Sequence, residues 1–310
     1  WYAGDLSLAP ATTGGDFNVI ATPVEFGGTN LSPADVIKQG SKGLVGSVVI
    51  EPAGSTWTET DLVADHQTAT VGAKRATRAS ATLRPSNARD LVTVIQKGIS
   101  LRYADGTPAE MFAAESMIAE DAEDSGHMAL NYGSEPLWYR FGLQPNAMLT
   151  RGHGVGPSLA DVPDAGLAFS NSLVGGDPAT HVFTAKAGQQ VRLHLLEPSG
   201  SNRASSFTLH GHVWERAPYV CPKSRKDGLP GKCLATGFFP TVTGEVASQA
   251  IGTSPIGMYM GAQDLIMAGA HFTLFLPSAG GANMVPGDYL LMDRAGFGTT
   301  GGLWSLLRVQ

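Results

Sequence analysis

Two histidines set two residues apart are the sharpest chemical feature of this chain. They stand in Ser206-Phe-Thr-Leu-His-Gly-His-Val-Trp214. Read as a strand, this segment alternates its side chains. Phe207, Leu209 and Val213 then share one face, and Thr208, His210, His212 and Trp214 the other. Two imidazoles on one face can approach a single metal ion or two neighbouring ones. They can equally be hydrogen-bonded at the edge of a sheet. His66, His127, His153, His181, His194 and His271 form no second such pair. His194 alternates with Val191, Leu193 and Leu195, so it faces away from the core. Asp61, Asp65 and His66, or Asp121, Glu123, Asp124 and His127, could gather at a cation, but both groups lie in polar sequence that reads as solvated loops.

Cys221 and Cys233 are the only cysteines. They bracket a polar loop with Gly228, Pro230 and Gly231, a spacing that suggests a disulfide. Closing so short a loop contributes roughly 3 kcal/mol in the chain-entropy picture. Two reduced surface thiols are the alternative; zinc fits poorly, because no further His or Cys lies beside them. A disulfide would place the protein in the periplasm or outside the cell.

The elements that position these residues are strands. Gly (39) and Pro (19) punctuate a 310-residue chain that is 43% hydrophobic and 15% charged, which reads as many turns between short strands. Strand signals fall at 43–50, 91–96, 181–185, 190–196, 206–214, 271–276, 287–292 and 303–309. No long amphipathic helix competes with them, so the class is all-β, a sandwich or barrel. The net charge of −6, with 21 Lys and Arg, gives no basic face for nucleic acid. No apolar run is long enough to span a membrane as a helix. A Gly-x-Ser-x-Gly elbow is absent, and Gly152-His-Gly-Val-Gly156 runs into Pro157 rather than a helix.

Several segments resemble the multicopper oxidases, and in particular their large manganese-oxidase-like members. Phe207-Thr-Leu-His-Gly-His212 is similar to their His-Leu-His-Gly-His strand. The tail from Pro286-Gly-Asp-Tyr289 to Gly302-Leu-Trp-Ser305 is similar to their last motif, a Gly-Asp-Tyr strand leading through His-Cys-His to a Gly-Met/Leu-Trp-Gly strand. Lys42-Gly-Leu-Val-Gly-Ser-Val-Val-Ile-Glu-Pro52 resembles the end of a preceding domain, and Asn131-Tyr-Gly-Ser-Glu-Pro136 an internal segment.

The resemblance implies cupredoxin-like Greek-key β-sandwich domains. Residues 1–60 would be the C-terminal portion of one, 61–90 a linker or surface loop, and 91–310 a second. The first would be completed by a missing N-terminal segment or a partner chain, and the protein could form oligomers. The resemblance also implies an exported oxidase taking electrons from metal ions or phenols and reducing dioxygen. Its ligand positions, however, are substituted except at His210. Those on the first strand fall on Ser205, Thr208 and His210. The His-Cys-His positions fall on Met292, Asp293 and Arg294, and the final imidazole on Gly298. Arg294 would set a fixed cation beside a copper. Type 1 copper is therefore not expected in the C-terminal domain, and His210 with His212 would be the local contribution to a copper site. The alternative is a non-catalytic structural or binding module in an extracellular assembly.

Overall fold

The structure is a computed structural model that describes residues 4–11, 14–23, 27–35, 38–50, 56–59, 68–72, 77–78, 81–83, 87–99, 105–106, 127–143, 168–169, 176–200, 204–215, 219–220, 259–294 and 298–310. The first strands are β1 (Gly4–Pro10), β2 (Phe17–Pro23), β3 (Gly27–Leu31), β4 (Gly46–Ile50), β5 (Thr56–Glu59), β6 (Thr68–Gly72), β7 (Thr77–Arg78), β8 (Ala81–Leu83), β9 (Asn87–Ile99) and β10 (His127–Leu130). A one-turn helix, α1 (Leu137–Arg140), follows. The C-terminal strands are β11 (Phe183–Ala185), β12 (Val191–Leu196), β13 (Ser205–Leu209), β14 (Trp214–Glu215), β15 (Tyr219–Val220), β16 (Tyr259–Met260), β17 (Gln263–Ile266), β18 (His271–Leu276), β19 (Gly287–Asp293) and β20 (Trp304–Val309).

Two mixed sheets carry the fold. One has the order β18-β12-β9-β6-β5, with β10 also on β9; the other runs β11-β20-β19-β13-β17. The chain crosses between them at β11 to β12, β12 to β13, β17 to β18 and β18 to β19, as expected of an all-β Greek-key sandwich. Pairing is antiparallel except for β12 on β9 and β11 on β20. Between the sheets lies one apolar core, including Leu91 and Ile95 of β9, Val191, Leu193 and Leu195 of β12, Phe207 and Leu209 of β13, and Leu307 and Val309 of β20. The period-2 pattern dictates this, since alternate residues of each strand reach the same face. Each fully buried Leu contributes roughly 1.5–3 kcal/mol over leaving it in water.

The outer face of the sheet holding β12 is covered too. Every residue of β12 is buried, because the β3–β4 hairpin lies over its far side. Asn30 donates to Ala270 O at 2.9 Å, and Gly28 sits so close to His194 that a Cβ there would lie 3.1 Å from Nδ1. His194 does face away from the core, as the alternation predicts, yet it is fully buried. Its Nδ1 lies 2.9 Å from Thr273 Oγ1, and its Nε2 is 3.5 Å from Asp90, which Arg192 clamps with two 2.6 Å bonds.

Where the sequence reads 61–90 as linker or surface loop, Thr68–Gly72 is a strand paired on both edges, to β5 and to β9. Its Thr-Ala-Thr-Val run suits a pleated surface, and the charged residues around it concealed that signal. The strand expected at 91–96 is longer, Asn87–Ile99. Its N-terminal half pairs with β6 and its C-terminal half with β10.

The segment resembling an Asn-Tyr-Arg-Ser-Glu-Pro motif is a packing device. Asn131 and Tyr132 both take positive φ (52° and 65°), and the Asn131 amide replaces a strand neighbour for β9. It accepts from Val94 N at 2.7 Å and donates to Val92 O at 2.8 Å. Beyond it, Trp304 donates from Nε1 to Glu135 O at 2.6 Å, and the Arg140 guanidinium lies 5.7 Å from the Trp304 ring centroid.

Candidate functional site

The positions that the resemblance assigns to a type 1 copper meet at one end of the core. Ser205 opens β13 and Asp293 closes β19; alternation turns both inward, beside Phe207 and Leu291. Ser205 Oγ donates to Asp293 Oδ2 at 2.7 Å, and Ser206 N–H donates to Oδ1 at 3.0 Å. Thr299 Oγ1 donates to the Asp293 carbonyl at 2.6 Å and Leu303 N–H to Gly298 O at 2.8 Å, which holds the 298–303 turn against the same carboxylate. A Cβ on residue 298 would collide with the Asp293 side chain. Ser205 and Asp293 are each 4% exposed. The three residues thus fill their own space.

A second buried charge pair adjoins them. Lys97 Nζ lies 3.0 Å from Glu197 Oε1, and both side chains are almost wholly buried. Burial pushes the Glu197 carboxyl from 4.5 up to about 7; Lys97 opposes this, and the nearby Asp293 adds to it. Among the described residues, no group of three or more His, Cys, Asp or Glu side chains gathers at one point.

The two histidines part company. β13 ends at Leu209, and His210 and Gly211 form a turn, with Gly211 at φ 69°. The chain therefore reverses before the shared face expected of a continuous strand can form. Val213 is 49% exposed and Trp214 fully buried, the reverse of a simple continuation. His212 is buried against the Tyr289 ring, 4.6 Å between centroids. Its Nδ1 lies 2.9 Å from His210 O, and Gly280 N–H donates to its Nε2 at 2.9 Å. A carbonyl can only accept and an amide N–H can only donate, so the ring is the neutral Nδ1–H form with both nitrogens engaged. Burial lowers its pKa from the ordinary imidazole value, opposed by the bond to His210 O. His210 is exposed. Of the two paired histidines, His210 is the one that remains open.

Cys221, Cys233, His66, His153, Asp61, Asp65, Asp121, Glu123 and Asp124 lie outside the described residues. Of His127 only the strand position in β10 is described. Sequence reasoning missed Lys97 and Glu197. Their signal was present: each continues the inward alternation of its strand one step past the apolar residues, Ile95 and Leu195.

No protein-family model and no curated protein matches the chain. Among solved structures it is similar to a multicopper oxidase, at 14% identity and TM-score 0.40, over 96% of this chain and 61% of that one. It is also similar to a blue copper oxidase from Nitrosomonas europaea, at 13% identity and TM-score 0.39, over 95% of this chain and 60% of that one. A copper nitrite reductase from Nitrosomonas europaea is similar at 12% identity and TM-score 0.38, over 100% of this chain and 74% of that one. The chain thus spans about 60% of the length of the two oxidases. Likenesses of this degree assign no activity.

Proposed function

We propose that this chain is a cupredoxin-like module in which a hydrogen-bonded polar plug stands where a type 1 copper would bind, and that it serves as a structural or binding domain. The observation that supports this is the Asp293 carboxylate, held by Ser205 and Ser206 in the space facing Gly298. A blue copper needs a thiolate and two imidazoles; a carboxylate, a hydroxyl and a glycine supply neither. The residues do not fit that metal. The test is copper content per chain with a visible spectrum, after loading with Cu(II) and dialysis. The expected result is colourless protein without stoichiometric copper. A blue band that disappears in Asp293→Ala would overturn the reading.

A second reading is favoured by His210, exposed at the one retained ligand position. In it the chain belongs to a longer exported multicopper-oxidase-like enzyme, in the periplasm or outside the cell, and His210 completes a copper site with other domains. Copper bound by the longer protein and lost in His210→Ala would support it. Both readings include an incomplete first domain. Leu8, Phe17 and Val19 are 68%, 64% and 65% exposed on the two-stranded β1–β2 sheet, an apolar surface that further chain or a partner would cover. A monomer in sedimentation velocity, with no loss of stability when all three are changed to Ser, would count against that part.

A further inference from the structure

The outer face of the β13–β19 pair carries an open depression of about 510 Å³. Its apolar lining includes Leu290, Met292 and Phe169, which also pack beside Trp304. Two exposed polar side chains border it, His210 and Arg294. Neither makes a side-chain hydrogen bond or ion pair among the described residues. Asp288 lines the same depression and shares Arg308 with Asp177, each carboxylate taking two of its bonds, so this trio keeps one net negative charge, six residues along β19 from Arg294 and away from where an anion would sit.

Register fixes the spacing. His210 N–H donates to Leu290 O at 2.9 Å, and Arg294 N–H donates to Ser206 O at 2.7 Å. The two side chains therefore stand four residues apart along the ladder, roughly 13 Å at the Cα atoms. The length of an arginine stem bridges much of that. Thr208 stands between them on the same face of β13, and its buried Oγ1 has no hydrogen-bond partner among the described residues.

We propose that this face binds an aromatic carboxylate. The carboxylate sits on the Arg294 guanidinium, the ring lies on Leu290 and Met292, and a polar substituent reaches His210. One fixed cation matches one negative charge. A phosphoester would bring a second, and among the described residues the depression offers no further cation for it. A guanidinium takes a carboxylate through two parallel bonds, and a flat apolar floor favours a planar body.

The proposal is independent of copper, so it is tested with a chelator present. 4-Hydroxybenzoate is titrated into the full chain while the Met292 methyl resonance, assigned through Met292→Leu, is followed by NMR. A saturable shift is expected. Arg294→Ala should weaken binding about tenfold, with Arg294→Lys intermediate, because the bidentate geometry is lost before the charge. His210→Ala should weaken it by about threefold, the loss of one modest hydrogen bond. 4-Hydroxybenzyl alcohol, which lacks the charge, should bind about tenfold more weakly than the acid to the unaltered chain. That last comparison needs no substitution, so it decides even where a variant folds poorly. An unmoved Met292 signal, undiminished binding in Arg294→Ala, or equal affinity for acid and alcohol would overturn the assignment.

Discussion

The two ends of β13 treat polar side chains in opposite ways. At its start, Ser205 turns inward and meets Asp293, with the Lys97–Glu197 pair beside them, all buried and all engaged with one another or their neighbours. Past its end, His210 turns out to solvent beside a depression that no side chain fills. Both places fall on positions where the family resemblance puts metal ligands. At the inner place, the polar groups pack against one another, so it should govern stability. At the outer place, the exposed His210 and Arg294 side chains are unengaged among the described residues, so it should govern binding. Any variant that affects both properties equally breaks this division.

The largest effect is expected from Lys97→Met. Removing one partner of a buried ion pair costs roughly 3–5 kcal/mol. The cost should depend on pH. Glu197 has its folded pKa raised from 4.5 to about 7. A raised carboxyl pKa means that the folded state binds the extra proton, so this group's contribution to stability declines as pH rises from about 4.5 to about 7, by roughly 3 kcal/mol in all. Without Lys97 that pKa climbs further. Urea unfolding should therefore show a penalty at pH 8 that shrinks by about 1–2 kcal/mol at pH 5, where Glu197 is protonated. A penalty equal at the two pH values would mean that Glu197 does not carry the charge assigned to it.

Gly298→Ala comes next. The new methyl group would meet the Asp293 side chain. Overpacking of a filled interior costs about 1–3 kcal/mol, read as a lower melting temperature. A neutral outcome would mean that the carboxylate can move aside, and with it the plug. Binding of 4-hydroxybenzoate should survive in the folded fraction, because the depression lies on the other face of β19.

Much of this division was legible in the sequence. Alternation in Val191-Arg-Leu-His-Leu-Leu196 gave both faces of β12, and β18 falls on His271–Leu276 as read. That Ser205, Asp293 and Gly298 were positions of interest was legible through the resemblance alone. Their convergence was not, since it depends on the pairing of β13 with β19, a contact between residues nearly ninety positions apart. Two other features escaped for local reasons. Thr68–Gly72 lies among charged residues that mask its β-branched run. The turn at His210 depends on Gly211, and a Gly within a strand-like run marks a break as readily as a weak strand. The shared face of His210 and His212 was lost with that turn.

The histidines themselves give the finest test. His212→Ala removes the acceptor for the Gly280 N–H and the ring packed on Tyr289. A buried donor left without a partner, together with the small cavity, should cost about 2 kcal/mol. His210→Ala touches an exposed ring and should stay within about 0.5 kcal/mol. The unaltered protein adds a pH signature. His212 is neutral when folded, with a lowered pKa, while the unfolded imidazole protonates near its ordinary value of 6.5. The folded state thus binds fewer protons, so the His212 contribution is present above that value and is lost as pH falls below it. It runs opposite to that of Glu197, and His212→Gln should remove the acid-side loss while leaving the decline between pH 4.5 and 7 that Glu197 produces. If His210→Ala were instead the costlier change, the exposed ring would be holding the turn and the buried one would be dispensable. The assignment of stability to the inner place and of binding to the outer would then have to be reversed at this turn.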